Sequence, residues 1–228
     1  MHTNVNLSAP IGALALIGTC ALLGAGSIFL IYSLAVRSFS RARLTAAFML
    51  IFASMYGGTI LIFAFASSEV ALARGDEKHF CELDCHLAYS VADIKRTRVI
   101  GSGGNTVTST GTFCLATVKT RFDETTIGPN RGNGLLYPNS RQLTIVDAQG
   151  RTYSPSQQAQ AALESAGSAG TPLQTPLRPG ESYLTTIAFD LPADATNLSL
   201  LINEGEWITH FIIGHENSLL HKKVRFQL

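Results

Sequence analysis

Cysteine and histidine crowd one short stretch of this sequence, His79-Phe-Cys81-Glu-Leu-Asp-Cys85-His86. Thiolate sulfur and imidazole nitrogen together suit a thiophilic ion, copper before zinc, so Cys81, Cys85 and His86 are candidate metal ligands. His221 is the predicted fourth ligand, completing a Cys2His2 set. The reason is topological. In a sandwich whose first strand runs parallel to its last, both begin at the same end. A first strand starting at His86 and a last strand starting at His221 would then bring the two imidazoles together. Two other chemistries fit the same residues. Outside the cytoplasm, cysteines at this spacing form a short-loop disulfide that needs no metal. Cys81-x-x-x-Cys85-His86 is also one residue longer than the C-x-x-C-H run that attaches haem.

The remaining motifs assemble no reaction. The two-cysteine spacing resembles the loop of the dicopper electron-transfer site in oxidase subunits, but the His and Met that follow the second Cys there are missing here. His215-Glu-Asn-Ser-Leu-Leu-His221 places its second histidine six residues on, about 240° round a helix, so it is no H-E-x-x-H zinc motif. Gly101-Ser-Gly-Gly-Asn reads as a turn, and no G-x-S-x-G occurs. Asp123-Glu124 reads as a solvated turn, His210 as structural and Cys114 as a small core residue. No nucleophile, base and oxyanion site come together, so an enzyme is not expected.

The elements that must position the Cys/His stretch divide sharply by composition. No Lys, Arg, Asp or Glu occurs from Thr3 to Val36, nor from Leu44 to Ser68. Each run exceeds the ~20 residues that cross a ~30 Å hydrocarbon core, which predicts spans at about 10–35 and 44–68. The first is too long for a secretory signal and no basic residue precedes its apolar core. Cys20 follows Thr19, which does not suit a lipid-modified cysteine, and reads as a buried helix thiol. Arg37, Arg41 and Arg43 crowd the connection, placing it in the cytoplasm and both termini outside. Ala53/Gly57 and Ser54/Gly58, with Gly18, Gly24 and Gly26, offer flat surface for close helix packing or for a partner subunit.

From Glu69 the composition is that of a soluble domain. Residues 69–85 read as a linker holding the Cys/His cluster, and 86–228 as an extracytoplasmic domain. Strands are predicted at Leu87–Ile94, Thr112–Phe122, Gln142–Asp147, Ser182–Asp190, Asn197–Ile202, Trp207–Ile213 and His221–Leu228. In Thr112–Phe122, Cys114, Ala116 and Val118 share one face while Thr117, Lys119 and Arg121 share the other, the period of a half-buried strand. Pro179-Gly-Glu and Asp147-Ala-Gln-Gly are turns. Gly128–Ser140 is an irregular loop, and residues 157–164 favour a short surface helix. Seven short strands between turn residues predict an antiparallel β-sandwich.

The order Arg121-Phe-Asp-Glu124, then Val146-Asp-Ala-Gln-Gly-Arg-Thr-Tyr153, Pro179-Gly-Glu-Ser and Phe189-Asp-Leu-Pro192 resembles telokin-like, immunoglobulin-like extracellular domains of unknown function. The full layout is similar to a bacterial group that joins a membrane anchor to such a domain. The resemblance implies an immunoglobulin-like fold and a place outside the bacterial inner (cytoplasmic) membrane, periplasmic or extracellular, and brings no catalytic residue. The expectation is therefore a two-pass hairpin (1–68) followed by an immunoglobulin-like sandwich. Its partners are the lipid bilayer and other membrane-protein subunits. A net charge of +1 gives no bias toward nucleic acid. Two functions compete: a binding module with a soft metal for metal handling or electron transfer, and a structural or interaction subunit whose Cys81 and Cys85 form a disulfide.

Overall fold

The computed structural model describes residues 2–3, 9–80, 86–101, 106–128 and 130–228. They divide into two compact units. Residues 69–205 and 223–228, with the first few residues of the chain, form one; the long helices and Glu206–Lys222 form the other.

The two uncharged runs are helical. α1 spans Ala9–Ala35 and α2 Phe39–Ala66, 27 and 28 residues, separated by a tight turn with Arg37 at positive φ. At 1.5 Å per residue each is about 40 Å long, enough to cross a bilayer. Their large side chains face outward: Ile11, Ile31 and Phe65 are 68%, 67% and 76% exposed. Of the small residues singled out above, Gly26 lies against the Met49 side chain, whereas Gly18, Gly24, Gly57 and Gly58 face open space. The helix pairing therefore uses only part of the predicted small-residue surface.

The first unit is built on two five-stranded sheets. One has the order β1 (His2–Thr3), β3 (Lys78–Phe80), β4 (Leu87–Ile100), β5 (Val107–Phe122) and β8 (Ser182–Leu191). The other has the order β2 (Val70–Leu72), β10 (Val224–Gln227), β9 (Ser199–Glu204), β6 (Arg141–Val146) and β7 (Thr152–Tyr153). Their inner faces close one core, in which Tyr89, Val118, Phe122 and Phe189 meet Ile145, Leu200, Ile202 and Phe226, all fully buried. The alternation of β5 is as predicted: Cys114, Ala116 and Val118 point inward. Phe113 and Leu115 point the other way, where α3 (Gln157–Ser165) covers them with Ala159, Ala162 and Leu163. Ser156 caps that helix by accepting from the Ala159 N–H.

Three differences from the sequence reading have physical causes. First, residues 69–80, expected within a linker, contribute β2 and β3. Strands of three residues carry no readable period, and these exist because β10 and β4 pair with them. Second, Trp207–Phe211 is a 3-10 helix rather than a strand, and the last strand begins at Val224 rather than His221. Third, the strand running parallel to the last one is β2, whereas the strand that follows His86, β4, lies in the opposite sheet. The pairing that motivated His221 as a ligand is thus absent.

Candidate functional site

A polar cluster of the sandwich forms where β3 and β5 are bridged by β4. His79 is register partner of Ala88, and Ala88 of Arg121, so His79 and Arg121 lie in one row across the sheet. Asp123 follows β5 directly and begins a short 3-10 turn, its carboxylate accepting from the Thr125 N–H and hydroxyl. That turn aims the second carboxylate oxygen at His79 Nε2, 3.0 Å away, and at Arg121 Nη2, 3.2 Å away. Arg121 meanwhile donates two parallel bonds to Glu77, of 2.7 and 2.6 Å. Such forked pairing is the strongest ionic geometry available to side chains.

Electrostatically the cluster is self-consistent. Burial pushes the Asp123 carboxyl upward, but hydrogen bonds from Thr125, His79 and Arg121 outweigh it and hold it well below the ordinary carboxylate range. The fork from Arg121 lowers Glu77, and the same carboxylates raise Arg121. His79 is 5% exposed, and its Nδ1 is buried with no partner among the described residues. An imidazole oriented by a carboxylate through one nitrogen, with the other unengaged, is how metal-binding histidines are commonly held. Ligand atoms of Glu77, His79 and Asp123 lie within 4.8 Å of one another. Arg121, however, already pairs with both carboxylates, forking onto Glu77 and reaching Asp123. As a group of three the cluster is an ion-pair network, and His79 is its one member with donor capacity to spare.

The predicted ligands fall as follows. Cys81 and Cys85 lie outside the described residues. His86 is buried, its ring stacked on Phe122 at 5.3 Å and its Nδ1 2.6 Å from the Thr126 hydroxyl. Its carbonyl accepts from the Asp123 N–H at 2.7 Å, so Asp123 engages His79 through its side chain and His86 through its backbone. His221 belongs to the helix-containing unit and turns its Nδ1 to the Lys222 carbonyl at 2.7 Å. Sequence reasoning found His86 but passed over His79, whose only local signal was its position two residues before Cys81.

Two features invisible in the sequence lie nearby in the same unit. Lys78 is fully buried; its Nζ donates to the Ile202 carbonyl at 2.7 Å and sits 4.7 Å from the Phe80 ring centre. The Arg141 guanidinium lies 4.2 Å from the same centre. Aromatic faces attract cations when water is excluded. Arg141 also lines a crevice of about 340 Å³ with Gln160, Glu164, Thr171, Gln174 and Ile187. The second quoted motif has a comparable staple: Asp147 accepts from Arg151 at 2.6 Å and Tyr153 at 2.8 Å, and Arg151 reaches Asp194 at 2.9 Å.

Against known proteins, residues 84–210, more than half of the chain, match the family model described as Domain of unknown function (DUF4352). The chain belongs to that family. The DUF4352 match includes Arg121, Asp123 and the Asp147–Arg151–Tyr153 staple, while Glu77 and His79 precede it. Comparison with curated proteins found no match. Among solved structures, the secreted protein MPT63 from Mycobacterium tuberculosis is similar at 16% identity and a TM-score of 0.44, over 71% of this chain and 98% of its own. A conserved hypothetical protein from Bacillus anthracis is similar at 10% identity and a TM-score of 0.38, over 52% of this chain and 82% of its own.

Proposed function

We propose that the protein is a two-pass membrane-anchored module that holds its DUF4352 sandwich outside the bacterial inner membrane and uses it for binding. The observation that carries this is the pair of long helices whose large apolar side chains stand exposed from end to end. A soluble protein does not leave such a surface to water. The topology has a second support. His2–Thr3 pairs with Lys78–His79 in the sandwich sheet, so residues on either side of the two helices share one compartment. An even number of crossings meets that requirement, and the arginines at 37, 41 and 43 then mark the cytoplasmic turn. A cysteine placed at Ser40 should resist membrane-impermeant reagents in intact cells; prompt labelling would overturn the orientation.

The ligand proposed for the module is one soft metal ion, copper favoured, held by Cys81, Cys85 and His86 for metal handling or electron transfer. His79, with Nε2 on Asp123 and Nδ1 unengaged, supplies an imidazole two residues upstream. His221, the other histidine of the original set, has lost its topological motive. Elemental analysis of the purified chain beside Cys81→Ser/Cys85→Ser and His221→Ala variants tests the set. Stoichiometric metal that disappears in the double variant and persists in His221→Ala is the expected result. No metal in the native chain would favour the second reading, an interaction subunit with a Cys81–Cys85 disulfide. The pairing of Glu77 and Asp123 with Arg121 is the observation on that side.

A further inference from the structure

Residues 206–222 leave the sandwich after β9, group with α1 and α2, and return as β10. Most of this segment is built inside out, with buried Ile213 and exposed His210 as exceptions. Trp207, Ile208, Phe211, Leu219 and Leu220 are 68%, 41%, 38%, 50% and 70% exposed, while Thr209, His215, Glu216, Asn217 and Ser218 are all below 7%. In water the apolar side chains would be the buried ones. Several polar groups are engaged within the segment, though the Ser218 hydroxyl is buried with no partner among the described residues. His210 Nδ1 lies 2.7 Å from the Asn217 carbonyl, the Asn217 amide donates to the Thr209 hydroxyl at 3.2 Å, and His215 Nδ1 accepts from the Asn217 N–H at 3.0 Å. The backbone does likewise, through turns closed from Thr209 to Glu206, Ile212 to Thr209, His215 to Ile212, Ser218 to His215 and Leu219 to His210.

The segment is also fastened along the helices. Lys222 N–H donates to the Ser67 hydroxyl at the end of α2, whereas the Tyr56 hydroxyl donates to the Phe211 carbonyl at 2.6 Å. Those two fastenings are eleven helical residues apart, about 16 Å along the axis at 1.5 Å each. On α1, Gly12 admits the Ile213 carbonyl where any Cβ would collide with it. Between Glu206 and Lys222 the one Asp, Glu, Lys or Arg is Glu216, which is 4% exposed; the other ionisable residues there are His210, His215 and His221.

We propose that residues 207–220 enter the outer leaflet beside the hairpin and contact lipid acyl chains with Trp207, Ile208, Phe211, Leu219 and Leu220. The occupant of this apolar face is the bilayer itself, because the face continues the exposed apolar surface of α1 and α2 and descends along α2 from its outer end. Non-helical backbone persists at membrane depth only where its polar groups are satisfied within protein, and the turns above close the N–H groups of Thr209, Ile212, His215, Ser218 and Leu219 in that way. Glu206 and Lys222 stand where the chain meets water, and Trp207 adjoins that boundary, where tryptophan is favoured. The inference rests on the membrane anchoring proposed above.

Trp207 is the only tryptophan in the chain, so its fluorescence reports the segment without labelling. The full chain would be reconstituted in phosphatidylcholine vesicles with or without bromines on the acyl chains. Expected are co-flotation with the vesicles, blue-shifted emission, loss of most of the intensity to brominated lipid, and protection from aqueous iodide. A Trp207→Phe/Lys222→Trp variant should show the reverse order, with several-fold stronger iodide quenching. Co-flotation with Trp207 open to iodide and untouched by bromine would overturn the inference and leave the anchoring intact. Failure to float would overturn both.

Discussion

Phe189 and Phe65 are the same side chain in opposite settings. In the sandwich Phe189 has no exposed surface, whereas in α2 Phe65 is 76% exposed. The sandwich follows the water rule: apolar inside, with Arg121, Glu77 and Asp147 stapling its periphery. The helices and residues 206–222 follow the opposite rule, with Glu216 and Asn217 turned in and Trp207 and Leu220 turned out. One chain thus carries two patterns of burial, and the contrast between them is what the proposed membrane anchoring rests on.

The largest effect should come from breaking the water rule. Phe189→Ala should destabilise the sandwich by about 3–5 kcal/mol, the usual cost of emptying an aromatic core site. Phe65→Ala should leave its denaturation midpoint unchanged to within about 0.5 kcal/mol. Equal losses in thermal unfolding of the detergent-solubilised chain would dissolve the contrast. Next comes the staple. Asp123→Asn should cost about 2–3 kcal/mol at neutral pH, because it removes the charge that Arg121 and His79 share. The pH dependence has a definite sign. A carboxylate lowered in the folded state stabilises above its ordinary pKa of about 4, and the contribution is lost as pH falls through the lower folded value. Urea midpoints of the native sandwich should therefore fall below about pH 4 more steeply than those of Asp123→Asn.

Smaller changes probe the other unit. Gly12→Ala forces a methyl onto the Ile213 carbonyl and should cost about 1–3 kcal/mol locally. The readout is a red shift of Trp207 emission with the sandwich midpoint unmoved. If both move together, the two units are not separate in stability. Tyr56→Phe removes one hydrogen bond to the Phe211 carbonyl and should cost about 1 kcal/mol, seen as faster hydrogen exchange within 209–219. No change in that exchange would show that the segment holds its shape without the helix.

The proposed ligand segment rests on the closeness of Cys81, Cys85 and His86 in the chain, a signal that needs no fold to be read. The staple beside it was not. Glu77 and His79 lie more than forty residues from Arg121 and Asp123, and only the β3–β4–β5 register brings them together. The pairing behind His221 was missed for a related reason, since which strand runs beside the last one is a choice among pairings of similar local appearance.

The sequence alone determined the features that depend on composition over a window. These are two long apolar helices, from uncharged runs; the faces of β5, from period-two alternation; and α3, from propensity. The tertiary structure decided what depends on partners. β2 and β3 are strands because β10 and β4 supply the hydrogen bonds that three residues cannot supply themselves. Residues 207–213 are rich enough in apolar residues for a strand, yet Trp207–Phe211 coils into a 3-10 turn. Fastened to Tyr56 and Gly12, they gain more by satisfying their backbone within the segment than by extending a sheet.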